Sequence, residues 1–139
     1  MNVLFHVSLF IIQSFSLEGN WKLTEFTAFD HVLNSTSFEK ASNEQKQEII
    51  ESLNFTLNNT YFNFKGDSLY YIDAGGRNEI RNRKGKFLLK SDTLMFFQSG
   101  KVNPMKFFIY SKKSKSFKMK VVFRDGSIAS GSMSFAKVE

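Results

Sequence analysis

The stretch Phe117-Lys118-Met119-Lys120-Val121-Val122-Phe123-Arg124-Asp125-Gly126 decides the fold. Apolar side chains at every second position predict a β-strand with one buried face, because successive side chains of a strand point to opposite faces. The Asp-Gly pair that follows favours a tight hairpin turn. Residues 128–138 then return as the last strand, with Met133 and Phe135 on one face.

Six further strands are predicted upstream, each short and bounded by turn residues. Their regular spacing, with a turn at each junction, favours a sandwich or an up-and-down barrel, and closure into a barrel removes exposed strand edges. One strand surrounds Trp21, and the others cover residues 60–64, 69–72, 86–90, 94–97 and 105–110.

One helix is predicted between the first two strands. Ser42 and Gln45 have the spacing of a capping box, and Ile49, Ile50 and Leu53 follow as one apolar side. We expect this helix to end near Asn54. The predicted class is therefore all-β with one short helix, as a small antiparallel up-and-down β-barrel of about eight strands.

Composition excludes several classes of protein. The 139 residues include no cysteine, which rules out disulfides, thiol catalysis and cysteine-ligated metals. Hydrophobic residues make up 42% and aromatic residues 16%, which is too apolar for a disordered chain. No phosphate-binding or dinucleotide glycine pattern occurs, and His31 stands alone beside Asp30. We therefore predict a protein that is not an enzyme, with no cofactor and no metal.

Charge divides unevenly along the chain. Residues 17–60 carry three basic and seven acidic side chains, a net −4, whereas residues 61–139 carry sixteen basic and six acidic, a net +10. Basic residues cluster over 77–86 and over 112–120. These clusters either keep the domain soluble and protect strand edges, or bind a polyanion. For a secreted protein, phospholipid head groups or acidic glycans are the better candidates, and nucleic acid is not expected.

The first sixteen residues predict a signal peptide. Residues 3–12 form a mostly apolar run of the length of a signal-peptide core, far short of the ~20 residues that span a bilayer. Ser14 and Ser16 are small residues at a cleavage-site spacing. Because the run lacks a preceding Lys or Arg, a buried first strand and a membrane anchor stay open as alternatives. The predicted organisation is a signal peptide over 1–16 and one barrel domain over 17–139, periplasmic or secreted and without a transmembrane span.

The segment Leu17-Glu18-Gly19-Asn20-Trp21-Lys22-Leu23 carries a family resemblance. Gly-x-Trp in a first strand, followed by a helix and a run of hairpins, resembles the lipocalin and fatty-acid-binding-protein superfamily. It is most similar to the short bacterial lipocalin-like domain proteins, and the similarity extends over residues 17–139. Two departures matter: Ala28 replaces an Asn of the fatty-acid-binding motif, and the last strand lacks that family's ligand-binding Arg-x-Tyr. Fatty-acid binding by that mechanism is therefore not carried over.

The resemblance implies a structural role for Trp21 at the closed end of the barrel. In lipocalins a basic side chain packs on this tryptophan, and Arg124 and Lys137 are the candidates here. Gly19 would permit the close backbone approach. Contact between Trp21 and a ligand is the alternative.

Two functions remain open from the sequence. The first is a non-catalytic carrier or binder of a small apolar ligand in the mouth of the barrel. The second is a protein–protein or envelope-interaction module with a filled barrel and a basic surface. Tyr71 and Tyr110 are candidates to orient a polar ligand end. The predicted lining, which would pack the barrel if no ligand enters, is Phe62, Phe64, Tyr71, Phe87, Leu89, Tyr110, Met119, Val121, Phe123, Met133 and Phe135.

Overall fold

The structure is a computed structural model that describes residues 15–74 and 78–139. Most of the predicted signal peptide, up to Ser14, lies outside the described residues, as does Arg77 of the first basic cluster. The elements are β1 (Gly19–Phe26), α1 (Thr27–Leu33), α2 (Thr36–Glu39), α3 (Asn43–Asn59), β2 (Tyr61–Lys65), β3 (Ser68–Asp73), β4 (Arg81–Lys90), β5 (Thr93–Gln98), β6 (Met105–Tyr110), β7 (Ser116–Val122) and β8 (Met133–Val138).

The eight strands form a closed barrel in sequence order. Every neighbouring pair is antiparallel, and β8 closes the barrel by pairing with β1, where Trp21 lies opposite Lys137. The predicted up-and-down barrel is confirmed. Residues 15–18 and the β2–β3, β4–β5 and β6–β7 connections lie at one end, here called the tryptophan end. The helices and the β3–β4, β5–β6 and β7–β8 loops lie at the other, the loop end.

Strand β4 changes partner near its middle. Its first half pairs with β3 up to Lys86, and its second half pairs with β5 from Gly85 onward. A Cβ atom at Gly85 would lie 2.1 Å from the backbone oxygen of Phe97, so only glycine lets the two backbones approach this closely. This stagger is part of how a twisted sheet closes into a barrel.

The prediction of a single helix is wrong in number. The capping box of α3 is confirmed, because Ser42 accepts from the Gln45 N–H and the Gln45 side chain accepts from the Ser42 N–H. The helix continues past Asn54 to Asn59, since Leu57 packs against the barrel core and the Thr56 hydroxyl donates to the Ala74 carbonyl at 2.7 Å. Tertiary contacts thus extend the helix by more than one turn.

Two short helices precede α3 without a strong sequence signal. Helix α1 begins after Phe26, which offers no side-chain cap. It is tied to the barrel by the Thr27 N–H, which donates to the Ser132 carbonyl at 3.0 Å. Helix α2 is capped by the Ser35 hydroxyl, which accepts from the Phe38 N–H.

The β7–β8 connection differs from the predicted hairpin. The tight turn forms, with Gly126 at φ +87° and its N–H donating to the Phe123 carbonyl at 2.9 Å. Val122 and Ile128 then pair only as an isolated bridge, and regular strand resumes at Met133. The prediction of one strand over 128–138 is therefore wrong in its first half, because the backbone at Ser132 bonds to α1 instead.

Candidate functional site

The tryptophan end is sealed by side chains. Trp21 has no exposed surface, and its Nε1 donates to the Leu17 carbonyl at 2.7 Å. The Lys137 Nζ lies 5.6 Å from the centroid of the Trp21 ring, so the structure puts a cation at the predicted place. Gly19 has φ +116°, and a Cβ atom there would lie 3.1 Å from Lys137 Cε.

Arg124, the other cation predicted for Trp21, lies elsewhere. It follows β7 and lines a cleft at the loop end, which is the opposite end of the barrel. The prediction for Arg124 is therefore wrong, because the β7–β8 turn carries it away from the tryptophan.

Phe15 belongs to the same seal. Its ring lies 6.2 Å from that of Trp21 and 5.8 Å from that of Phe117, measured between centroids. Trp21 and Phe117 make an edge contact at 4.8 Å, and Lys112 Nζ lies 6.0 Å from the Phe15 ring. Phe15 lies within the predicted signal peptide, two residues before Leu17, and yet it packs as part of the domain.

Aromatic rings fill the middle of the barrel. Phe62 lies at the centre of this packing, with centroid distances of 4.4 Å to Tyr71, 4.8 Å to Phe135 and 6.5 Å to Phe107. Phe117 stacks on Phe135 at 5.2 Å. Offset and edge contacts at these distances are favourable for aromatic pairs. This part of the barrel is packed by its own side chains.

Nine of the eleven predicted lining residues point into the barrel. Four of them are fully buried, namely Phe62, Phe64, Met119 and Phe135. The other five are partly buried and pack against the core, namely Tyr71, Phe87, Leu89, Val121 and Met133.

Tyr110 and Phe123 are the two exceptions. Phe107 and Ile109 of β6 are buried, so alternation puts Tyr110 on the outer face. There it stacks on Phe108 at 5.7 Å. Phe123 lies beyond the end of β7 and is half exposed. Neither prediction of an inward side chain is correct.

A polar cluster faces inward at the loop end. The Arg83 Nε donates to Asp73 Oδ2 at 3.1 Å, and its Nη1 donates to Gln98 Oε1 at 3.2 Å. Tyr71 is paired with Arg83 across β3 and β4 and so shares its face. Arg83 and Asp73 each keep about a quarter of their side-chain surface exposed, so the pair is screened only in part from solvent.

Burial raises the pKa of the Tyr71 phenol well above its ordinary value of 10.0, and the nearby Asp73 carboxylate raises it further. Arg83 opposes this effect through its positive charge. The phenol therefore stays protonated at neutral pH and is a neutral hydrogen-bonding group beside the ion pair.

A cleft of about 340 Å³ opens beside this cluster. Three cations line it, Arg83, Lys101 and Arg124, together with Gln98 and Asn103, and Val102 and Met105 supply apolar surface. Asp73 offsets one of the three positive charges through its bond to Arg83. The cleft therefore combines apolar surface with an excess of positive charge.

Asp73 and Gln98 were not among the sequence candidates, and Arg83 was predicted only as one member of the basic cluster over residues 77–86. The signal that finds them is the alternation of β4: counting back by twos from the inward Phe87 passes Gly85 and reaches Arg83. The prediction began this strand at Lys86 and so left Arg83 in a basic hairpin. Cross-strand pairing then adds Asp73 and Gln98.

The basic clusters divide between the two faces of the barrel. Arg83 points inward, whereas Lys84 and Lys86 are exposed on the outer face of β4. In the second cluster, Lys112 pairs with Asp92 and Lys115 with Glu139. Lys118 and Lys120 lie on the outer face of β7, with Lys120 Nζ 5.7 Å from the Tyr110 ring.

Within residues 15–74 and 78–139, no group of three or more His, Cys, Asp or Glu side chains has the arrangement of a metal site. None of the helices in the same ranges has the length and apolar character needed to cross a bilayer.

Comparison with known proteins shows a similarity in fold. No protein-family model matches the chain, and no curated protein matches it either. Among solved structures, the crystal structure of a lipocalin-like protein from Bacteroides uniformis aligns with a TM-score of 0.50 at 15% sequence identity. The alignment covers 88% of this chain and 98% of that one. Together with the closed eight-stranded barrel, this similarity identifies the fold as that of a lipocalin-like domain.

Proposed function

We propose that this protein is a non-catalytic binder of a small amphipathic anion, held in the loop-end cleft. The observation that carries the proposal is the set of three cations, Arg83, Lys101 and Arg124, around a cleft that also has apolar walls. Ligand sites typically combine apolar surface with a few convergent polar groups. At about 340 Å³, the cleft lies at the small end of such sites, which favours a small ligand.

Arg83 is the anchor of the proposed site. Its bonds to Asp73 and Gln98 fix the guanidinium before any ligand arrives, which lowers the entropic cost of binding. A guanidinium has five N–H donors in a planar fork that suits a carboxylate or phosphate. Two of them make these bonds, and in this proposal the others meet the anionic group. Lys101 and Arg124 add positive charge at the rim.

The filled middle of the barrel limits how deep the ligand lies. The rings around Phe62 are in mutual contact, so a ligand that reached them would have to displace packed side chains. We therefore infer that the ligand's apolar part rests near Met105 and Val102, above the packed layer. The predicted lining is assigned mainly to packing, and only Tyr71 borders the proposed site.

We infer a site of action outside the cytoplasm, in the periplasm or the surrounding medium. The support is the apolar run over residues 3–12, which has the length of a signal-peptide core. Intact mass of the protein expressed with its natural leader tests this inference, because export with cleavage removes the leader and retention of Met1 would contradict it.

The binding proposal is tested with 1-anilinonaphthalene-8-sulfonate, a fluorescent probe that is both anionic and apolar. We expect the double variant Lys101→Gln/Arg124→Gln to bind the probe about tenfold more weakly, the factor expected for ~1.4 kcal/mol lost from charged hydrogen bonds. The matched control is Lys40→Gln/Lys46→Gln, which removes the same charge from the helical region. Equal affinities for the two variants would contradict the proposal.

Native mass spectrometry of the protein from its own source separates the two candidate functions. An adduct of a few hundred daltons that is released on denaturation, and is lost in Lys101→Gln/Arg124→Gln, supports the ligand-binding proposal. A bare mass, with the probe result negative, favours the alternative of an interaction module whose barrel is filled.

A further inference from the structure

We propose that a second surface of this protein docks onto anionic phospholipid bilayers. This surface, here called the docking face, consists of the outer side of β4–β7 and the tips of the β5–β6 and β7–β8 loops. It is separate from the polar cluster inside the barrel and its argument does not rest on the proposed ligand. Its partner is identified by charge and by exposed apolar side chains.

Charge is the first observation. None of the residues in β4, β5, β6 and β7 is an Asp or Glu. Their outward side chains include six lysines, of which five are exposed, namely Lys84, Lys86, Lys90, Lys106 and Lys118. Such an array of one sign attracts a surface of the opposite sign. Lysines near an anionic leaflet each favour binding by a modest and roughly additive amount.

The carboxylates at the borders of the docking face are engaged locally. Asp67 pairs with Lys86 at 3.0 Å, and Asp92 pairs with Lys112. Asp125 accepts from the Ser127 N–H at 2.9 Å. These contacts leave the positive character of the strand lysines largely intact.

Exposed apolar side chains on the same face are the second observation. Leu88 is 51% exposed on β4, and cross-strand pairing sets it beside Met95 and Lys106 in one outer row. At the loop tips, Val102 is 96% exposed and Phe123 is 52% exposed. Single exposed apolar residues are common, but here each has cations next to it: Lys86 and Lys90 flank Leu88 on β4, Lys101 precedes Val102 and Arg124 follows Phe123. Apolar side chains bordered by cations are typical of surfaces that insert into the interface of a bilayer.

A cleft joins the strands of the docking face to its loops. It measures about 310 Å³ and is lined by Lys106, Val122, Phe123 and Arg124, with Asn103 and Pro104. Asn103 and Arg124 also line the ligand cleft, so the two clefts share one rim. Docking in this orientation would bring the mouth of the barrel close to the lipid surface.

The choice of a bilayer over a nucleic acid rests on the side chains that are exposed. Single-stranded nucleic acids bind by stacking bases on exposed aromatic rings. Here Leu88 and Val102 are aliphatic, while Tyr110 stacks on Phe108 with Lys120 beside it. The exposed rings of this face, Phe97 on β5 and Phe123 after β7, are separated by β6, so they do not form one stacking platform. Transfer of exposed aliphatic side chains such as Leu88 and Val102 into the acyl region is favourable, because it removes their apolar surface from water.

The charge part of the proposal is tested by co-sedimentation with vesicles of phosphatidylglycerol and phosphatidylcholine. We expect Lys106→Gln/Lys118→Gln to bind about 25-fold more weakly, about fivefold for each cation, which corresponds to ~1 kcal/mol per lysine. Lys40→Gln/Lys46→Gln is again the matched control and should bind as the parent protein does. Vesicles of phosphatidylcholine alone should bind neither.

The insertion part is tested by a single attached fluorophore. The chain has no cysteine, so Val102→Cys and Val32→Cys can each be labelled at one site with a polarity-sensitive dye. Val32 is an exposed apolar control on α1. We expect a blue shift on vesicle binding at position 102 and none at position 32.

Three results would overturn the docking proposal. They are equal loss of binding in both lysine variants, no blue shift at position 102, and displacement of the protein from vesicles by single-stranded oligonucleotides at equal phosphate concentration. Because Lys106 and Lys118 do not line the ligand cleft, Lys106→Gln/Lys118→Gln should bind the probe as the parent protein does. Failure of the docking proposal and failure of the ligand proposal are therefore distinguishable.

Discussion

Replacing Gly85 with alanine tests whether the partner switch of β4 is essential to the barrel. The new Cβ would lie 2.1 Å from the Phe97 carbonyl oxygen, 2.8 Å from its carbon and 2.9 Å from Gln98 Cα. All three are backbone atoms of β5, so no side chain can rotate away. A carbon–oxygen contact of at least 3.0 Å requires the two strands to separate by about 0.9 Å, the difference between 3.0 and 2.1 Å.

That separation has a calculable cost. The nearby bond from the Ser99 N–H to the Lys84 carbonyl is 3.0 Å long, and a further ~0.9 Å takes it beyond hydrogen-bonding distance. Each lost bond costs ~1 kcal/mol, and overpacking adds ~1–3 kcal/mol. We expect Gly85→Ala to lower the free energy of unfolding by about 3 kcal/mol and the melting temperature by ~10 °C.

The measurement is thermal and urea unfolding followed by the fluorescence of Trp21. Gly131→Ala is the matched control, because a Cβ there meets its nearest neighbours at 3.7 Å, which is ordinary contact. Alanine at such a site leaves stability unchanged or raises it by up to ~1 kcal/mol. If Gly85→Ala melts within about 2 °C of Gly131→Ala, corresponding to less than ~1 kcal/mol, the close approach of β4 and β5 is not what we describe.

The remaining predictions concern the two ends of the barrel. Because the pKa of Tyr71 is raised in the folded state, its contribution to the free energy of unfolding is fully present below pH 10. Above pH 10 that contribution falls by up to ~1.4 kcal/mol per pH unit. Urea unfolding on either side of pH 10 should therefore show a shallower fall in Tyr71→Phe, and an identical slope contradicts the assignment. Lys137→Gln should lower the free energy of unfolding by ~0.5–1 kcal/mol through loss of the contact with Trp21, whereas Lys115→Gln, whose partner Glu139 is exposed, should change it by less in the same melts. If the leader is cleaved, we expect the mature chain to begin at or before Phe15, because cutting after Ser16 would remove a ring that packs on Trp21 and Phe117; the intact mass of the exported protein measures this, and a mass beginning at Leu17 would refute it.

Strong periodicity made the fold predictable. The alternation predicted the correct inward face of β7 at Phe117, Met119 and Val121, and failed at Phe123, which lies beyond the end of the strand. The Gly-x-Trp segment predicted the first strand and the sealed end. The prediction that Tyr110 points inward failed because β6 reads Phe107-Phe108-Ile109-Tyr110. Both faces of this strand are apolar, so the sequence does not show which alternate residues face the core. In the structure Phe107 and Ile109 are buried, so Phe108 and Tyr110 lie on the outer face.

The length of α3 could not be predicted from local signals. Its capping box marks the beginning, but its end is set by a side chain that packs against the barrel and by the hydrogen bond to Ala74. Both partners are distant in the sequence. The same holds for residues 128–132, whose alternation favours a strand but whose backbone at Ser132 bonds to Thr27.

The candidate site depends on the same irregularity as the fold. Arg83 stands two residues before Gly85, where β4 leaves β3 and joins β5. Its guanidinium therefore reaches Asp73 on β3 with one nitrogen and Gln98 on β5 with another. An arginine in the middle of a regular three-strand ladder would face one row of neighbours, whereas here the stagger brings polar groups from both sides to the same point.

This coupling separates two kinds of failure in experiments on the site. A variant that disturbs Gly85 should loosen Arg83 as well as destabilise the barrel, so it would weaken probe binding without touching a lining residue. A variant of Lys101 or Arg124 removes charge from the rim and leaves the strand pairing of β4 unchanged. A Lys101 or Arg124 variant should therefore lose probe binding while its melting temperature stays unchanged. A Gly85 variant should lose probe binding together with a fall in melting temperature. This difference distinguishes ligand recognition from the integrity of the barrel.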